Sequence, residues 1–237
     1  MAVAIIQEAY FHSSQCESAL ALQEAFRAAN RAIYRTAQSD HRYTGMATTC
    51  TALVLKGRTG LVAHVGDSRV YLFQYGKLQQ ITQDHTFISS LVDQGLLSPE
   101  EAQNHPQKHV LTKALGHLSE VHPDIHYIQD VENEGFILCS DGLYNLVPAK
   151  DIATVLREHS AQESGKILIQ LARERGGFDN ITILVLNLDR DNKCTPINLN
   201  KTIPFSESKI PQNSLDKLLR PLIVLLILVI VLYHIFL

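Results

Sequence analysis

The chain has 237 residues, 46% hydrophobic and 19% charged, with a formal net charge of −3. That length suits one domain with a sizeable core, or one domain and a tail. The composition excludes a collagen-like, low-complexity or wholly disordered chain, and no basic excess points to nucleic acid as a partner.

Residues 1–11 and 16–38 read as helices. In the second, Leu20, Leu22, Ala25, Phe26, Ala29, Ile33 and Tyr34 recur near helical spacing, with Glu24, Arg27, Arg31 and Arg35 largely between them. The opening residues lack a basic leader and meet Glu8 early, unlike a secretory signal. From Ala47 the texture is β. Thr48–Lys56, Leu61–Val65 and Val70–Tyr75 are split by glycines, and Tyr75-Gly76-Lys77 turns into Leu78–Thr82. Phe87–Gln94 reads as a helix ended by Gly95, and Ser98-Pro99-Glu100-Glu101 as a capped helix start. Strands are expected at Ile125–Gln129, Gly135–Ser140 and Ile181–Leu188, and helices at 148–159 and 163–175.

Residues 189–214, with three prolines and little periodicity, read as a linker. Leu218–Leu237 is apolar apart from Arg220, Pro221 and His234. As a helix from Pro221 it would reach about 25 Å, near the minimum for a bilayer core of ~30 Å. Lys217 and Arg220 precede it. The expectation is a transmembrane tail anchor over 215–237, with the globular part in the cytoplasm of a bacterial inner membrane.

Cys16, Cys50, Cys139 and Cys194 form no CxxC pair and read as small buried thiols, without a disulfide framework. His105/His109 and His122/His126 have ligand-like spacing, but Pro106 and Pro123 interrupt any helix there and no further zinc ligand is evident. There is no Gly-rich phosphate loop and no nucleophile elbow.

Three aspartates each sit beside a Gly or Asn at the end of an apolar strand. They are Asp67 in Gly66-Asp67-Ser68-Arg69, Asp141 in Ser140-Asp141-Gly142, and Asp179 in Gly177-Phe178-Asp179-Asn180. A lone Asp of this kind is a turn residue. Three within one αβ pattern suggest hard-oxygen ligands for Mg²⁺ or Mn²⁺.

These segments, with Gly45-Met46-Ala47-Thr48-Thr49 before them, resemble in order the motifs of the metal-dependent serine/threonine protein phosphatases of type 2C. Thr82-Gln83-Asp84-His85-Thr86 through Leu111–Gly116 resembles the flap of the bacterial branch, about 85–118. The resemblance covers about residues 1–188. It implies an α+β fold, a four-layer αββα sandwich of two antiparallel sheets flanked by helices. It implies two Mg²⁺ or Mn²⁺ ions, a third in bacterial members, and a water that attacks phosphoserine or phosphothreonine. Asp141 and Asp179 match ligands of the first ion. Asp67 matches the carboxylate that, with Asp141, helps hold the third. Ser140, Gly142 and Asn180 match supporting groups. Arg69 is either a phosphate clamp or an ion-pair partner near Asp67.

The family pattern opens with an Arg and acidic residues in an early strand, then an Asp-Gly-Met-Gly-Gly-His-type turn. Residues 1–11 align with the helix that follows these, so the sandwich is expected to be incomplete at its N-terminal side. Two expectations follow. One is a phosphatase acting on phosphoproteins of a serine/threonine kinase, read from a shortened chain. The other is a non-catalytic, membrane-tethered phosphatase-like binding module.

Overall fold

The structure is a computed structural model that describes residues 1–15, 17–131, 135–187 and the backbone of 223–232. The chain begins with two helices, α1 (Ala2–Phe11) and α2 (Ser18–Ser39), and a single 3-10 turn at His41–Tyr43. Four strands follow: β1 (Ala47–Lys56), β2 (Thr59–Val65), β3 (Arg69–Gln74) and β4 (Lys77–Gln80). Two short helices, α3 (Phe87–Asp93) and α4 (Pro99–Gln103), precede β5 (Asp124–Gln129) and β6 (Gly135–Cys139). Helices α5 (Asp141–Tyr144), α6 (Ala149–Glu158) and α7 (Ala161–Glu174) lead to β7 (Ile183–Asn187), and β8 spans Ile223–Leu232.

The strands form two four-stranded sheets, ordered β5-β2-β1-β8 and β4-β3-β6-β7, with all pairings antiparallel. Side-chain alternation assigns the layers. Leu53 and Leu55 of β1 and Val62 of β2 point inward and meet Val70, Leu72, Phe136 and Leu138 of the other sheet. Cys50, Ala52, Val54, Leu61, Ala63 and Val65 point outward and pack under α1 and α2. Tyr71, Ile137 and Cys139 face α5, α6 and α7. This is the expected αββα sandwich. Both faces of its central strands are covered, which is why β6 reads as an unbroken apolar run and β1 is buried at nine of ten positions.

Local chemistry explains the element ends. Tyr75 and Gly76 both have positive φ in the two-residue turn joining Gln74 to Lys77. Ser98 and Glu101 complete the expected capping box, with Pro at the first turn. A second box, Ser160 with Glu163, starts α7 at Ala161, ahead of the expected 163. In α2 the buried stripe runs through Ala19, Leu22, Ala25, Phe26, Ala29, Ile33 and Ala37, whereas Leu20 is exposed and Tyr34 half-buried. Cys50 and Cys139 are buried free thiols as expected, while Cys16, Cys194 and the linker 189–214 lie outside the described residues.

The transmembrane helix expected over 215–237 is not found among the described residues, and 215–222 and 233–237 lie outside them. Residues 223–232 form a strand that pairs with the whole of β1, from Lys56↔Ile223 to Ala47↔Leu232. Among the described residues no helix is long and apolar enough to cross a membrane. An apolar run without periodicity suits a buried strand as well as a buried helix. Six of the ten residues in β8 are Ile or Val, whose branched Cβ favours the extended backbone. The edge of β1, a strand buried at nine of ten positions, supplies the hydrogen-bonding partner.

Candidate functional site

Asp67 lies in the turn between β2 and β3. Gly66 has φ +114, and a Cβ there would fall 2.3 Å from Thr49 Cγ2. Only glycine allows the turn to press against β1 at this distance. The Thr49 and Ser68 hydroxyls hydrogen-bond at 2.9 Å, and the Thr51 hydroxyl donates to the Ser68 carbonyl at 3.2 Å. The Tyr144 hydroxyl donates to the Asp67 carbonyl at 3.0 Å. The turn is thus tied to β1 on one side and to α5 on the other, and Asp67 is buried.

Asp141 opens α5 directly after β6. Gly142 stands where a Cβ would meet the Asn180 carbonyl at 2.6 Å, so the start of α5 touches the 179–180 turn. Ser140 closes that junction. Its hydroxyl donates to the Asn180 carbonyl at 2.9 Å and accepts from the Thr182 N–H at 3.0 Å. Asp179, at the exposed rim, accepts from the Asn180 N–H at 2.6 Å. Ser140, Gly142 and Asn180 therefore fix how Asp141 and Asp179 approach each other, through the backbone of Asn180.

The electrostatics link the three aspartates. Burial, then the carboxylates of Asp141 and Asp84, push the Asp67 pKa up to about 7. Burial, then Asp179, raises that of Asp141, against the opposing pull of His109. In both, burial is the larger cause and a neighbouring carboxylate adds to it. The donor set is made of hard carboxylate oxygens and fits a divalent ion completed by water. It does not enclose one: among the described residues no three His, Cys, Asp or Glu side chains converge on a single ion.

Arg69 takes the second expected role, that of an ion-pairing residue near Asp67. Its partner is Asp84. Nε donates at 2.9 and 3.1 Å and Nη2 at 2.7 Å. Its guanidinium lies 3.5 Å from the centroid of the Tyr144 ring and donates to the Tyr71 hydroxyl at 3.0 Å. Burial lowers the Arg69 pKa, but the Asp84 carboxylate outweighs it and the net direction is upward. A guanidinium engaged in this way is a strut between β3 and α5.

Two residues of the site escaped the sequence reading. His109, considered above only as one of a histidine pair, is exposed and brings Nδ1 to 3.6 Å from Asp141 Oδ2. Tyr144 touches both Arg69 and the Asp67 carbonyl. Asp141-Gly142-Leu143-Tyr144 at the strand end was the available signal, since a short helix there carries Asp and Tyr together. The His105/His109 and His122/His126 pairs form no zinc site among the described residues. Beside the carboxylates a cavity of about 880 Å³ opens between the sheet, α3 and α4, with Arg69, Asp84, His109 and Tyr144 in its lining.

Comparison with known proteins bears on this geometry. The family profile described as protein phosphatase 2C matches residues 1–173. The serine/threonine protein phosphatase PstP of Mycobacterium tuberculosis is 43% identical over 169 residues, covering 70% of this chain and 32% of that protein. The serine/threonine phosphatase stp of Listeria monocytogenes is 35% identical over 173 residues, covering 73% of this chain and 69% of that protein. A crystal structure of the catalytic domain of PstP in complex with two manganese ions superposes with a TM-score of 0.70 at 34% identity, covering 78% of each chain. The match thus spans about a third of the PstP chain's length and over two thirds of the stp chain's. With its αββα sandwich and its ordered Asp motifs, the chain belongs to the protein phosphatase 2C family.

Proposed function

We propose that this chain hydrolyses phosphoserine and phosphothreonine in proteins with the help of Mn²⁺ or Mg²⁺. The observation that carries the reading is that the fold brings Asp67, Asp141 and Asp179 to one end of the sandwich: Asp67 and Asp141 flank the paired ends of β3 and β6, and the 179–180 turn is held against Ser140 and Gly142. The similar phosphatases act on serine and threonine phosphates by their names, and one similar structure holds manganese, which supports the substrate class and the metal. Asp141 and Asp179 would hold one ion, and Asp67 with Asp141 another, each completed by water. A bound ion there would lower the pKa of water and neutralise charge developing on the phosphoryl group. The chain's own residues do the rest. Ser140 and Gly142 hold Asp141 against the 179–180 turn, and Tyr144 and Arg69 brace the Asp67 backbone and the cavity wall.

The test is hydrolysis of p-nitrophenyl phosphate and of a phosphothreonine peptide by the full chain. We expect turnover that depends on Mn²⁺, stops with chelator and falls at least 100-fold in Asp141→Asn. Folded chain without metal-dependent turnover would overturn the proposal.

A further inference from the structure

Outside the Asp-bearing turns, His64 and His85 are buried side by side, with the half-buried Lys113 and Asp124 next to them. His85 and Gly66 exchange two hydrogen bonds. The His85 N–H donates to the Gly66 carbonyl at 2.7 Å, and the Gly66 N–H donates to His85 Nδ1 at 3.0 Å. A backbone N–H can only donate, so Nδ1 is bare and the ring proton sits on Nε2. That proton points to Asp124 Oδ2, 3.1 Å away. Lys113 Nζ donates to the other Asp124 oxygen at 2.8 Å, which holds the carboxylate in place. The His64 ring stacks on His85 with centroids 4.8 Å apart, and is itself fixed by the Thr51 hydroxyl at 2.8 Å and the Gln83 carbonyl at 3.1 Å. The tautomer, tilt and position of the His85 ring are all determined by neighbours.

We propose that His85 is a positioning residue for Asp67: it clamps both backbone polar groups of Gly66 and so sets where the next residue presents its carboxylate. The proposal rests on the metal-dependent reading above. Its reason lies in the glycine. Gly66 has no side chain to restrain it and is conformationally the most permissive residue type. Its φ of +114 must therefore be imposed from outside. On the far side the Tyr144 hydroxyl holds the Asp67 carbonyl, so the segment is gripped at both ends and the Asp67 side chain is directed by backbone rather than by a partner of its own.

Two substitutions separate the two ring nitrogens. His85→Asn keeps a hydrogen-bond acceptor near the Nδ1 position and loses the reach to Asp124. His85→Gln keeps a donor near the Nε2 position and loses the acceptor for the Gly66 N–H, while the backbone bond to the Gly66 carbonyl stays in both variants. The readouts are Mn²⁺ affinity of the full chain by calorimetry and amide hydrogen exchange in the peptide holding residues 65–68, with urea unfolding as the control for stability. We expect His85→Asn to bind Mn²⁺ within threefold of the unchanged chain, and His85→Gln to bind at least tenfold more weakly with faster exchange at 65–68. Equal affinity in the unchanged chain and in His85→Gln, or Asn weakened as much as Gln, would overturn the clamp alone. If Gln does not fold, the Asn variant decides at the same thresholds. An unchanged chain that binds no Mn²⁺ would instead overturn the metal-dependent reading, and the clamp with it.

Discussion

His64 shows how one buried residue sets a property of the whole fold. Burial, then the neighbouring His85, pulls its pKa down to about 3, from an ordinary value of 6.5. Between those values the unfolded chain binds a proton at this position that the folded chain does not. Stability is therefore full above about pH 6.5 and falls as pH drops toward 3. From pH 7 to pH 5 His64 alone should remove about 2 kcal/mol. Urea unfolding at the two pH values should show this loss, reduced in His64→Gln, whose amide has no proton to gain. An unchanged slope in the variant would mean that other groups carry the acid sensitivity. At the same scale, Asp67, Asp141 and Asp179 stood out in the sequence because three such contexts recur within one αβ pattern, in the order of the type 2C motifs they resemble. His109 and Tyr144 were less so, since what matters is whom they meet across the fold. Arg69 was legible as an ion-pairing residue, but its partner depended on how the segment after β4 folds back.

Elements begin and end where the sequence supplies the chemistry. α7 starts at a reciprocal pair: the Glu163 N–H donates to the Ser160 hydroxyl at 3.3 Å, and the Ser160 N–H donates to the Glu163 carboxylate at 3.2 Å. Exposed boxes of this kind contribute about 1 kcal/mol. Ser160→Ala should lower stability by about that amount while leaving the proposed metal-dependent hydrolysis per folded molecule unchanged. Calorimetric unfolding checks it, and no change in stability would show that packing of Leu168 and Ala172 against the sheet suffices to start the helix. Most strands and helices were readable for the same local reasons. The four-residue α5 was not, because its Asp-Gly-Leu-Tyr sequence is equally at home in a turn. It is helical here because it must fit between β6 and the 179–180 turn, a contact that Gly142 permits.

At the scale of the molecule, the two sheets bury an inner layer while helices cover both outer faces, leaving the turns that carry Asp67 and Asp141 at one end. The β1 edge is where this architecture is most exposed to change. It lies between two covered faces, and β8 occupies it. Deleting residues 215–237 should uncover a row of unpaired backbone groups, lower the melting temperature and promote self-association through that edge. Light scattering and thermal unfolding of the shortened chain beside the full one would show it. A shortened chain that is equally stable and stays monomeric would deny β8 this role.

The apolar tail also marks where local reading stops. Hydrophobic periodicity, turn residues and caps are properties of a few neighbouring residues, so most helices and strands and the Asp-bearing turns followed from the sequence. Whether a uniformly apolar run becomes a helix or a strand is not such a property. It depends on whether another strand offers hydrogen bonds along its edge, and only the assembled sheet supplies β1 in that position. The same holds for the Arg69–Asp84 pair and for the His85 clamp on Gly66. Each joins residues 15 or 19 positions apart, through distances that exist only once β3, β4 and the segment beyond them have packed.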